Sequence, residues 1–245
     1  MALDPLHQFQ VAPVASWSVL GLDIVKTNQS LTMVVATGLV ALLFVLGARR
    51  RALIPGRLQA FVELTYDFVA GLVQGTAGKA AMVFFPLILT LFLFIAIQNL
   101  AGMIPGTFTS TSQIFITLQL ALAVFVLVIG VGFYKHGLHF LSLFYPAGTP
   151  LYLAPLIIPL ELISFFARPL TLAVRLAANM IAGHVLLKIF ATFAVMLSGL
   201  FVAAGLVPLV FLIAITGLEV FIALLQAYIF TVLTCVYLND ALHLH

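Results

Sequence analysis

Residues 151 to 198 form one apolar block with prolines at 155, 159 and 169, and nothing after Pro169 resembles a loop until Gly199. A helix over residues 160 to 198 is about 58 Å long at 1.5 Å per residue, roughly twice the ~30 Å hydrocarbon core of a bilayer. Such a helix must tilt far beyond the usual ~20° or be broken. The unbroken apolar pattern after Pro169 favours strong tilt. A second long block, residues 206 to 238, follows Gly199, Gly205 and Pro208 and is expected to return as its hairpin partner, ending at the polar tail "NDALHLH".

Three shorter segments, near 30 to 48, 82 to 104 and 114 to 134, each supply the ~20 apolar residues that one crossing needs. With 64% hydrophobic and only 7% charged residues, against roughly 25% charged in a soluble domain, the expected fold is an all-α polytopic membrane protein. Residues 1–28 are expected to form an N-terminal extramembrane segment and residues 29–245 a single membrane domain. "MALDPLHQFQVAPVASW" lacks the basic region and apolar core of a signal peptide. The ten basic residues are scattered rather than gathered in a stripe, which argues against a nucleic-acid partner and for topology signals. Cys235, alone in an apolar run, reads as a small buried residue.

Residues 57 to 75, "RLQAFVELTYDFVAGLVQG", differ from the spans. Gln59, Glu63, Asp67 and Gln74 fall within about 80° of one another at 100° per residue, one polar stripe on an amphipathic helix. If that helix lies at the interface, Arg49, Arg50, Arg51, Arg57, Lys79 and Lys135 share one side and Lys26 stands alone opposite, a six-to-one split. If it crosses, Lys79 and Lys135 join Lys26 and the split falls to four against three. The positive-inside rule favours the interfacial helix. It places the N-terminus and the loop "GMIPGTFTSTSQ", 102 to 113, together on the outer side.

The long blocks are not uniformly apolar. Glu161, Arg168 and Arg175 are spaced seven and seven, so each is turned only about 20° from the last and one charged stripe results. Asn179 follows Arg175 at i+4 on the same side, and Glu219 and Gln226, again seven apart, share a face of the second block. An arginine in a membrane helix costs about 2.5 to 3.5 kcal/mol on the lenient insertion scale and cannot shed its charge. Arg175 therefore needs water or a carboxylate: Glu161, Glu219 or an acid from another subunit. Pairing with Glu161 or Glu219 would merely hold helices together. Arg168, one residue before Pro169, is as readily explained by backbone carbonyls that the proline leaves short of donors. His184 and Glu219 are titratable groups of the kind used in proton relays, with ordinary pKa values of about 6.5 and 4.3. Asn179 and Gln226 could bridge helices through an amide hydrogen bond.

Signatures of enzymatic chemistry are missing: the sequence has no H-E-x-x-H, G-x-S-x-G, phosphate-binding loop or metal-ligand cluster, so neither a cofactor nor a metal is expected. His136 and His139 in "YKHGLH", and His243 and His245, read as loop or tail residues.

"RPLTLAVRLAANMIAGH" together with "ALLQAYIFTVLTCVYLNDA" closely resembles subunit a of the F-type ATP synthase, and "QNLAGMIPG" and "LHQF" match further landmarks, so the resemblance covers nearly the whole chain. Histidine at 184 with glutamate at 219 is the alphaproteobacterial or mitochondrial-like arrangement; many other bacterial relatives carry the two types exchanged. The resemblance implies an N-terminal spanning helix, an interfacial helix, a two-helix transmembrane hairpin and two long tilted helices along a rotating c-ring. It also implies peripheral-stalk b-type subunits and membrane lipid as partners, and the bacterial inner membrane as location, with the N-terminus periplasmic and the C-terminus cytoplasmic. Arg175 would be the arginine facing the c-ring carboxylate, with Asn179 and Gln226 around it. His184 and Glu219 would belong to the outer half-channel, Glu161 to the cytoplasmic one, and Arg168 would play a supporting part. The chain departs from the pattern at Gly102, where relatives often carry an acid. A stand-alone cation or solute permease using the same seam is the alternative; the absence of inverted-repeat halves with paired broken helices weighs against it. Two polar stripes weigh against a purely structural scaffold.

Overall fold

The computed structural model describes residues 11, 13–19, 22–49, 52, 54–104, 107–145, 151–199 and 202–243. "LHQF", Arg50, Arg51 and His245 lie outside them.

An antiparallel two-stranded hairpin, β1 (Pro13–Val19) and β2 (Leu22–Thr27), with Trp17 opposite Ile24, precedes the membrane part. Among the described residues six α-helices follow: α1 (Asn28–Arg49), α2 (Arg57–Ala77), α3 (Phe85–Gly102), α4 (Ile114–His136), α5 (Ala154–Ser198) and α6 (Val202–Leu242). Among the described residues, five helical stretches are long and apolar enough to cross a membrane: Asn28–Arg49, Lys79–Gly102, Ile114–Phe144, Ala154–Ser198 and Gly205–Leu242. The expected all-α membrane architecture is borne out, with the hairpin added outside it.

α5 is longer than expected. It starts at Ala154 and runs unbroken through Pro159 and Pro169 to Ser198, 45 residues, or about 68 Å. Each internal proline removes one helical hydrogen bond, which a membrane helix tolerates when its surroundings satisfy the freed carbonyl. α6 likewise continues past the anticipated tail to Leu242 and carries Pro208 in its first turns. Near these ends α6 passes close to α5: a Cβ on Gly205 would lie 2.8 Å from Ser198 Cβ and 3.0 Å from the Ala194 carbonyl oxygen.

The chain groups into two compact units. The first comprises Met1–Leu43, Leu93–Gln113 and Leu176–Ala227. Here Thr32 Oγ1 and Ser110 Oγ are 2.8 Å apart, and Ser110 donates to the Gln29 carbonyl at 3.4 Å. The loop after α3 therefore sits beside the start of α1.

The second unit comprises Phe44–Phe92, Ile114–Arg175 and Tyr228–His245. Its core packs Val69, Val73 and Ala77 of α2, then Ala81, Phe85 and Ile88, against Cys235, Leu238 and Leu242 of α6. Cys235 is the small buried residue expected of it. Around α2, Glu63, Asp67 and Gln74 are exposed on one stripe, Gln59 Nε2 donates to Glu63 Oε1 at 2.8 Å, and Phe61, Leu64 and Phe68 are exposed on another. A polar stripe and a bare apolar one on the same helix suit the boundary between headgroups and acyl chains. Gly47 lets α1 approach α2, since a Cβ there would meet Val62 Cγ2 at 2.6 Å. At the far end of α6, Lys135 Nζ donates to the Leu242 carbonyl at 2.7 Å, and a cation on the last carbonyls of a helix is favourably placed.

The fold makes the topology testable. Single cysteines at Ala52 and Lys79, both exposed, are expected to react with an impermeant maleimide from one side of the membrane and a cysteine at Ile104 from the other. Cys235 is fully buried and does not compete. Reaction of the first two from opposite sides would mean that α2 crosses. Ser110, in the same loop as Ile104, is unsuitable as a reporter because it is fully buried.

Candidate functional site

In the first unit, α5 contributes Asn179, Gly183 and His184, α6 contributes Glu219, Ala223 and Gln226, and α3 with its following loop contributes Gln98, Asn99, Gly102 and Thr109. Helical spacing sets the layers. Asn179 and Gly183 are four apart on α5; Glu219, Ala223 and Gln226 recur at four and three on α6, so each set stacks on one face.

The first layer joins the two amides: Asn179 Nδ2 donates to Gln226 Oε1 at 2.9 Å. One turn along α6, Asn99 Nδ2 donates to the Ala223 carbonyl at 3.1 Å and ties α3 to the seam. At the next turn stands the ionisable pair, with His184 Nδ1 3.6 Å from Glu219 Oε1 and both residues buried. Beyond the imidazole, Thr109 Oγ1 lies 3.0 Å from His184 Nε2. Glu219 and Gln226 are thus about 10 Å apart along α6, with polar groups at each turn between them.

Two glycines make room. A Cβ on Gly183 would lie 2.6 Å from Glu219 Oε1, and one on Gly102 would lie 2.5 Å from Thr109 Cγ2. Gly102, where the sequence departs from the usual acid, is the seat of Thr109.

Both carboxyl oxygens of Glu219, Gln226 Nε2, Asn99 Oδ1, Gln98 Nε2 and Thr111 Oγ1 are buried without a hydrogen-bond partner among the described residues. All six atoms belong to this unit. Buried polar atoms are ordinarily satisfied, and leaving one bare costs about 1–3 kcal/mol. A run of them along one seam has the chemistry of a path that water and protons occupy.

The second unit holds Glu161, Arg168, Arg175 and Asp240. Arg168 Nη1 donates to Asp240 Oδ2 at 3.0 Å, and its guanidinium lies 5.2 Å from the centroid of the Tyr237 ring and 5.8 Å from that of Phe165. Asp240 is thus a further acid of the long helices beside Glu161 and Glu219, and of the two readings of Arg168 the geometry shows a carboxylate partner. Glu161 is partly exposed on α5. Arg175 is exposed and forms no ion pair among the described residues. Glu219, in the first unit, faces His184.

Sequence reasoning anticipated His184 beside Glu219 and the Asn179–Gln226 bridge, but missed Thr109, Asn99 and Asp240. Asp240 carried a signal: with Glu219, Gln226 and Leu233 it continues a spacing of seven along α6. Thr109 carried none, because the partners of a loop residue depend on the path of the loop. Among the described residues there is no group of three or more His, Cys, Asp or Glu able to hold a metal.

The family described as "ATP synthase A chain" matches residues 30–239. Proteins named ATP synthase subunit a are similar over nearly the full length of both chains: 49% identity with that of Rhodopseudomonas palustris strain BisB5 (99% of each chain) and 48% with that of Rhodospirillum rubrum (99% of each). The protein of Mesorhizobium japonicum is 48% identical over 98% of this chain and 97% of its own. A match of this extent, on a chain whose polar seam runs through its two longest helices, means that the protein belongs to the ATP synthase A chain family.

Proposed function

We propose that this chain is the stator channel subunit of the membrane sector of an F-type ATP synthase, passing protons to and from a c-ring carboxylate without covalent catalysis of its own. The observation that carries the reading is Arg175. A permanent cation, exposed on a long apolar helix and with no acid partner among the described residues, calls for a carboxylate from outside, and a ring of carboxylate-bearing proteolipids brings one past it at every step.

The residues divide the work. His184 and Glu219 exchange protons on the outer path, and Asn179 and Gln226 carry the polar seam from there toward the α5 turn that bears Arg175. Glu161 belongs to the cytoplasmic path, and Arg168 with Asp240 braces α5 against α6. Arg175 favours the ionised c-ring carboxylate as it passes and, unable to give up its own proton, blocks direct hopping between the two paths. Each proton moved through the potential yields about 2.3 kcal/mol per 100 mV, so several are combined for each ATP. Peripheral-stalk b-type subunits hold the chain against rotation, and the ion is selected largely at the c-ring site. The positive-inside count sets the orientation in the bacterial inner membrane: N-terminus periplasmic, C-terminus cytoplasmic.

Affinity purification of the tagged chain from mild detergent tests the reading. A small two-helix proteolipid is expected to accompany it in a ring's worth of copies. A chain that purifies alone and transports a cation in vesicles would be a permease.

A further inference from the structure

We propose that Thr109 is a positioning residue that fixes the tautomer of His184, confining proton exchange with Glu219 to the Nδ1 side of the ring; the inference rests on the function proposed above. Thr109 Oγ1 is 3.3 Å from the Gly102 carbonyl oxygen and 3.0 Å from His184 Nε2. A carbonyl can only accept, so the single hydroxyl hydrogen is committed to Gly102, and toward the imidazole the hydroxyl offers a lone pair. The ring must then carry its hydrogen on Nε2. The hydrogen bond made by one ring nitrogen decides the state of the other, so Nδ1 is left as the basic atom, and it is Nδ1 that stands 3.6 Å from Glu219 Oε1.

Thr109 and Gly102 are both buried, and a Cβ on Gly102 would fall 2.6 Å from Thr109 Oγ1, so the glycine is what lets the hydroxyl occupy this place. At 3.6 Å the pair is just outside hydrogen-bond range; a small rotation of the Glu219 carboxylate, whose oxygens accept no hydrogen bond among the described residues, brings it within range. A proton arriving from the outer side adds to Nδ1 and makes the imidazolium. It then passes from Nδ1 to Oε1, giving the Glu219 carboxylic acid and restoring the neutral ring with its hydrogen still on Nε2. In the other tautomer Nδ1–H would face the carboxylate, and the basic nitrogen would face a hydroxyl whose hydrogen is already used.

The experiment compares ATP-driven acidification of inverted membrane vesicles bearing the whole complex with Thr109→Val, which removes the hydroxyl at nearly constant shape, and with Thr109→Ser, which keeps it. Rates are taken per assembled complex. The valine variant is expected to run about tenfold slower, equivalent to about 1.4 kcal/mol on the transfer barrier, and the serine variant to stay near the native rate. Native rates with valine, equal slowing by serine and valine, or loss of the valine chain from the complex would each overturn the proposal, the last two by assigning Thr109 to packing. His184→Ala and Glu219→Gln serve as controls. If both slow transport while Thr109→Val does not, only the tautomer proposal fails; if neither slows it, the reading of the site fails with it.

Discussion

Replacing Arg175 by alanine is expected to reduce ATP-driven proton pumping to background while leaving the complex assembled in the membrane. Both halves of that expectation come from its surroundings. The side chain is exposed and forms no ion pair among the described residues, so its removal strands no partner within the chain and opens no cavity in a packed core. Truncating one member of an ion pair instead leaves the other charge without its partner. The contrast lies two turns away on the same helix, where Arg168 is held by Asp240 and flanked by two aromatic rings. Arg168→Ala is a stability substitution, and Arg175→Ala a transport one. Quantifying subunits in the membrane alongside pumping separates them. Pumping by the Arg175→Ala complex at more than a small fraction of the native rate would contradict the role assigned to it.

The long helices were legible because their constraints are local. Length follows from the lack of any loop signal after Pro169, and the shared face of Arg175 and Asn179, or of Glu219 and Gln226, follows from the helical period alone. The amphipathic character of α2 was legible from four polar residues, three of which are exposed on one stripe. Asp240 was misplaced because "NDALHLH" has the composition of a tail, although the helical period continued through it to Leu242. Thr109 and Asn99 lay beyond sequence reasoning for a different reason. Asn99 finds the Ala223 carbonyl 124 residues away, and Thr109 finds His184 75 residues away, contacts that only the packing of α3 and its loop can create. The β-hairpin before α1 was likewise read only as an extramembrane segment.

The exchange of His184 and Glu219 probes the central claim, that these two side chains act as one proton-handling unit. They meet across two helices at 3.6 Å in a buried setting. His184→Glu alone sets two carboxylates where a carboxylate faced an imidazole, and like charges in an apolar site oppose the doubly ionised state. Glu219→His alone sets two imidazoles together and removes the acid. Each is expected to slow transport by at least about tenfold, since a change of one pKa unit in a coupled group is a tenfold change in its proton affinity. The double variant restores one acid and one imidazole with their places exchanged, and bare Gly183 beside position 219 leaves space for the ring. Residues in contact depart from additivity, whereas independent sites add.

The most direct measurement is therefore ATP-driven proton flux per assembled complex for the native chain, His184→Glu, Glu219→His and the double variant, read as a double-mutant cycle. The account predicts that the double variant pumps faster than either single one. A double variant whose defect is the sum of the two single defects would show that His184 and Glu219 handle protons separately, and would contradict it.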